Sequence, residues 1–151
     1  MAIAMDDYDW YVFSGRRRTS CFATLHVTST RYDEPVCMEM AEEAELALAI
    51  HGCEGETSGV ILGGGNEAAV ASLKGHLRDA GYTVLDAPDH LQGHNDRNFI
   101  NRARRRGVQI ELTTGLRREL FPGYPKSLQR HPREFQRFIG TMRAWLGSGL
   151  S

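Results

Sequence analysis

The sequence predicts an α/β fold, a mostly parallel or mixed twisted sheet flanked by helices in three layers. Three observations carry that expectation. Leu46-Ala47-Leu48-Ala49-Ile50 is an unbroken apolar run, too short for an ordinary helix and lacking the alternation of a half-exposed strand. Val108-Gln109-Ile110-Glu111-Leu112, by contrast, alternates with period two, placing Gln109 and Glu111 on one face of a second strand. Strand-like stretches are also separated by helix-period segments along the chain, the pattern of an α/β protein.

The 151 residues make one domain's worth of chain, long enough to bury a core. A net charge of −1 argues against a dedicated nucleic-acid binder. No apolar run reaches membrane-spanning length, and Met1 to Met5 is too short for a signal-peptide core, so a cytoplasmic protein is expected. Cys21, Cys37 and Cys53 are odd in number and form no C-x-x-C pair, which favours free thiols over a disulfide scaffold or a Cys-rich zinc site.

In chain order, Tyr8 to Phe13 is aromatic and β-branched and reads as a strand, followed by the basic turn Arg16-Arg17-Arg18. Phe22 to Thr28 suits another strand, carrying His26 on one face. Asp33 stands where it would cap the next helix, with Pro35 in its first turn, and that helix runs to about Ala44. The apolar run then reads as a central strand ending at His51-Gly52. In an open α/β sheet the ligand crevice lies outside the carboxyl ends of such strands. A histidine there either turns into the crevice or merely caps the strand and bonds a loop. Gly59 to Leu62 is a further short strand, and Gly63-Gly64-Gly65 lacks the spacing of a dinucleotide fingerprint. Asn66 caps a helix burying Val70, Leu73, Leu77 and Ala80, stopped by Gly81. Tyr82 to Leu85 reads as a strand, and Asp86 to Arg97 as a long polar loop. Thr113 and Thr114 open a short helix containing Arg117 and Arg118. From Pro132, Phe135, Phe138, Ile139, Met142, Trp145 and Leu146 recur at helical spacing, an amphipathic tail helix over 132–147 that closes a core.

Several stretches, in order, carry a family resemblance. They are Leu25-His26-Val27-Thr28-Ser29-Thr30-Arg31-Tyr32-Asp33-Glu34-Pro35, Ile50-His51-Gly52, Gly63-Gly64, Asn98-Phe99-Ile100-Asn101-Arg102, Gly107 to Leu112, and Gly115-Leu116-Arg117. Together they resemble the phage-type poly-γ-glutamate hydrolase family, whose fold is similar to that of zinc carboxypeptidases. The resemblance covers roughly residues 8 to 122. It implies a Zn2+-dependent hydrolase of γ-glutamyl amide bonds, in which His51 is a metal ligand and Glu111 the general base. It further implies that Asn101 and Arg102 bind the substrate carboxylate or polarise the scissile carbonyl, with Arg117 and His26 as further candidates for holding an anionic polymer. For Arg102 and Arg117 a surface salt bridge is the alternative reading.

Members of that family carry an upstream His-Gly-Gly-x-x-Glu motif supplying two more metal ligands, and none stands before Tyr8. The expectation is a single domain over 1–151 that is N-terminally truncated or degenerate. Glu54 and Glu56 are exposed loop carboxylates in the default reading and substitute ligands in the other. The competing function is a catalytically inactive binding protein of the same fold. A phage-related nucleic-acid-binding role through Arg102 and Arg104 to Arg106 ranks below it. Two structural consequences follow. His51 and Glu111 should sit at one sheet edge on neighbouring or next-neighbouring strands, with side chains facing a common crevice. With one matched ligand, zinc binding should be weak.

Overall fold

The computed structural model of the chain describes residues 8–14, 24–123 and 132–149. The order of elements is α1 (Pro35–Glu43), β1 (Ala47–Cys53), β2 (Val60–Gly63), α2 (Glu67–Asp79), β3 (Val84–Leu85), β4 (Gly107–Thr113), α3 (Thr114–Leu120) and α4 (Arg133–Gly147). Two 3-10 turns, Asp89–Leu91 and Phe99–Arg102, interrupt the long connection from β3 to β4. The described strands form one mixed sheet in the order β1-β4-β2-β3, with β1 parallel to β4, β4 antiparallel to β2, and β2 parallel to β3.

The helices form where local chemistry directs them. Asn66 accepts from the Ala69 N–H at 2.9 Å to start α2, and Gly81 leaves the helix end at φ +84°. Thr113 ends β4 and caps α3 in the same residue. Its buried hydroxyl accepts from the N–H groups of Leu116 (3.2 Å) and Gly59 (3.1 Å) and donates to the Thr57 carbonyl (2.8 Å). The tail helix α4 buries Phe135, Phe138, Ile139, Met142 and Trp145 against Leu73 and Leu77 of α2 and the Val108, Ile110 and Leu112 face of β4.

Four expectations need correction. Among the described strands the Leu46 to Gly52 run is not central: β1 stands at one end of their order, extends past His51 to Cys53, and leaves Ile50 39% exposed. An apolar run records that a strand meets a core, not how many neighbours it has. β4, like β2, is buried throughout, so Gln109 and Glu111 lie inside the protein. Tyr8 to Phe13 is not a strand; it pairs with no other strand among the described residues and packs by rings, with Phe13 and Tyr11 edge-on to Tyr32. Of the second expected strand, 22 and 23 lie outside the described residues, Thr24 and Leu25 are helical, and His26 to Thr28 has no regular structure. Finally, Glu34 and not Asp33 caps α1, accepting from the Cys37 N–H at 2.9 Å, because Pro35 occupies the first helical position. The basic stretch Arg16-Arg17-Arg18 and Cys21 lie outside the described residues.

Candidate functional site

Register decides which side chains share a face. His51 of β1 is the cross-strand partner of Glu111 on β4, which in turn is the partner of Ile61 on β2. Partners across a ladder point to the same side of the sheet. His51, Glu111 and Ile61 therefore form a row on the face opposite the α4 core, with Ala49, Gln109 and Gly63 as the next row. The two residues implied as metal ligand and base are neighbours on adjacent parallel strands.

Glu111 is 6% exposed, beside the apolar Ile61. Burial pushes its carboxyl up from 4.5 to about 7; a hydrogen bond from Gln109 and the positive charge of Arg117 oppose the rise. Gln109 Nε2 donates to Glu111 Oε1 at 3.1 Å, and Asn98 Nδ2 donates to Gln109 Oε1 at 2.9 Å. All three side chains are buried. A carboxyl that titrates near neutrality, with one oxygen hydrogen-bonded, has properties a general base requires.

His51 has its Nε2 buried without a hydrogen-bond partner among the described residues. Burial lowers its pKa, and the nearby exposed His26 lowers it further, so the imidazole is neutral at neutral pH. A neutral imidazole with an orphaned buried nitrogen has the chemistry of a metal ligand. The rest of a zinc site is not present in the described residues: they contain no group of three or more His, Cys, Asp or Glu able to hold an ion. Glu54 is exposed, and Glu56 is ion-paired with Arg118.

The other implied site residues lie elsewhere. Asn101 is fully engaged: Oδ1 accepts from the Gly65 N–H (2.9 Å), and Nδ2 donates to the carbonyls of Gly93 (2.8 Å) and Asn95 (2.9 Å). It pins the loop before α2 to the β3–β4 connection. Arg102 pairs with Glu42 of α1 at 2.6 Å and lines a cleft of about 550 Å³ with Arg31, Asp33, Asp96 and Arg97, to which neither His51 nor Glu111 contributes. Arg117 donates to the Cys53 carbonyl (2.9 Å) and lies over Gly52, where a Cβ would overlap its guanidinium. By strand alternation Gly52 shares the face of Leu48 and Ile50, so Arg117 approaches Glu111 from the other side of the sheet. Gly52 is thus kept small for close approach of Arg117 within a strand. Sequence reading passed over Asn98 as a site residue; nothing in the residues around it signals that it will be buried against Gln109.

The mixed sheet thus carries a buried carboxyl raised to the neutral range beside a histidine whose pKa is lowered. The model of the poly-γ-glutamate hydrolase family matches residues 1–141, and the chain belongs to that family. In Bacillus subtilis (strain 168), the SPbeta prophage-derived UPF0714 protein YoqZ is 32% identical over 117 residues, covering 76% of this chain and 42% of its own length. The UPF0714 protein YndL of the same organism is 33% identical over 118 residues, covering 76% of this chain and 46% of itself. Among solved structures, YNDL-apo (zinc-free) matches with TM-score 0.78 and 28% identity, over 85% of this chain and 66% of that one. A bacteriophage poly-γ-glutamate hydrolase matches with TM-score 0.75 and 26% identity, over 82% and 62% respectively. The chain spans about half the length of these curated relatives. No helix among the described residues is long and apolar enough to cross a membrane.

Proposed function

We propose that this chain carries the base-bearing half of a zinc-dependent hydrolase of γ-glutamyl amide bonds, acting on poly-γ-glutamate or a similar anionic polymer. The observation that supports it most is the register pairing of His51 with Glu111 on one face, with the Glu111 carboxyl raised to about 7. In this reading Glu111, ionised above that pH, takes the proton of the attacking water and returns it to the leaving amine. Burial beside Ile61 raises its basicity, and the Gln109 amide holds one carboxylate oxygen in place. His51 is the chain's contribution to zinc, a metal that one structural neighbour names. Because the described residues do not complete a three-donor group, purified chain should retain zinc weakly after dialysis.

The absence of a three-donor group among the described residues favours a second reading, a binding protein of the same fold without catalysis. Polymer chain length followed against time, with and without chelator and in Glu111→Gln, separates the two. Hydrolysis lost in Glu111→Gln supports the enzyme; undiminished hydrolysis in that variant defeats the mechanism. No hydrolysis by any form with zinc supplied in excess, and polymer still bound, supports the binding protein.

A further inference from the structure

We propose that Asn98 and Gln109 are positioning residues for Glu111, forming a one-way chain of donors that starts at a backbone N–H and ends on the carboxylate. The inference rests on the reading of Glu111 as the base. Its evidence is the direction of three consecutive hydrogen bonds. The Ile100 N–H donates to Asn98 Oδ1 at 3.4 Å, Asn98 Nδ2 donates to Gln109 Oε1 at 2.9 Å, and Gln109 Nε2 donates to Glu111 Oε1 at 3.1 Å.

A side-chain amide has one accepting and one donating end, and its orientation is set by its partners. The first link cannot reverse, because a backbone N–H only donates. Asn98 caps the 3-10 turn Phe99–Arg102, so its oxygen is fixed toward Ile100 and its nitrogen toward Gln109. Gln109 must then present its oxygen to Asn98 and its nitrogen to Glu111. Asn98 is 2% exposed and Gln109 6%, so each amide takes its orientation from its protein partners. Gly93, at φ +67°, packs against the Gln109 side chain, where an added Cβ would lie 3.2 Å from Oε1. The chain therefore demands an acceptor at position 111 and fixes one oxygen of it.

The test is Asn98→Asp in the full chain, which keeps the shape but turns the donor facing Gln109 into an acceptor. Gln109 must then flip or lose its partner, although residue 98 does not touch Glu111. The readout is the 15N–1H resonance of the Gln109 side-chain amide, shifted downfield in wild type by its bond to a carboxylate. In Asn98→Asp that resonance should move and should no longer respond to Glu111→Gln, because a flipped amide donates to the new carboxylate at position 98 in place of Glu111. The turnover number on poly-γ-glutamate should fall about 10- to 100-fold with KM little changed, the loss seen when an orienting outer residue is removed. An unmoved resonance in folded Asn98→Asp overturns the proposal whatever the activity, as does a moved resonance with full turnover. If the chain hydrolyses nothing, the resonance alone decides, so failure of the hydrolase reading is distinguishable. Should Asn98→Asp not fold, Glu111→Gln probes the same bond by weakening the acceptor. There the Gln109 resonance should move upfield, and an unchanged one overturns the proposal.

Discussion

The two faces of β4 are equally dry and built on opposite principles. Val108, Ile110 and Leu112 meet Leu73, Phe138, Met142 and Trp145 through shape and dispersion alone. Gln109, Glu111 and Thr113, 1% to 6% exposed, meet their surroundings through directional hydrogen bonds, and one of them is an acid. Apolar burial stabilises by about 25 cal/mol for each Å² removed from water. A buried carboxyl costs free energy when it ionises. The difference teaches that the site face is held up by the core face, and substitutions on the two should have opposite signs.

The largest expected effect is on the core face. Trp145, fully buried, also donates from Nε1 to Ser72 Oγ at 3.3 Å. Trp145→Ala should destabilise by about 3–5 kcal/mol, the usual cost of an aromatic-sized cavity. Urea denaturation measures it; a loss below about 1 kcal/mol would mean that α4 contributes little to the core and would break the comparison.

Glu111→Gln should do the reverse. The folded carboxyl at about 7 holds a proton between pH 4.5 and 7 that the unfolded chain has already released. The native state binds more protons there, so stability falls as pH rises through that window and levels off above it. The replacing amide cannot ionise, and the variant should gain up to about 3 kcal/mol over wild type at pH 8 and almost nothing at pH 4. Activity should drop about a hundred- to ten-thousand-fold. Equal gains at both pH values would show that burial does not hold the proton on Glu111.

Gly52→Ala sharpens the comparison by acting across the sheet. The new Cβ displaces the Arg117 guanidinium, the end of a flexible side chain, and loosens its bond to the Cys53 carbonyl. The stability cost should be about 1 kcal/mol, one partly exposed hydrogen bond. With the cation withdrawn, the Glu111 carboxyl should rise above 7, carrying the falling limb of the stability profile to higher pH. A limb that stays in place would show that Arg117 does not act on Glu111 through the sheet.

What was legible in the sequence was local. The Asn66 cap, the Gly81 stop, the apolar stripe of α4 and the alternation in β4 each depend on residues within a turn or two. The pairing of β1 with β4 joins residues 60 positions apart, and nothing in Leu46 to Ile50 distinguishes an edge strand from a central one. Tyr8 to Phe13 has strand composition, but a strand needs a partner, and propensity cannot supply one. The resemblance singled out His51 and Glu111, which the register brings together, and also Asn101 and Arg102, which it does not. Asn98 became part of the site's surroundings only through the fold of the β3–β4 connection.

Arg102 gives the smallest expected change and the finest division of roles. Its ion pair with Glu42 is short, but the two side chains are 46% and 54% exposed. Exposed pairs contribute about 0–1 kcal/mol because water and salt screen them and two long side chains must be ordered. Arg102→Ala should therefore cost less than about 1 kcal/mol, matched by Glu42→Ala, with the double variant no worse than either single one. The two should part company on polymer. Arg102 lines its cleft together with Arg31 and Arg97, so removing it should weaken binding of poly-γ-glutamate, while removing Glu42 should strengthen it. Both differences should shrink as ionic strength rises, since the cleft is open to solvent. Titration of labelled polymer at low and high salt measures them. Identical affinities in wild type and both variants at low salt would reduce Arg102 to a surface ion pair and leave polymer recognition to the His51–Glu111 face.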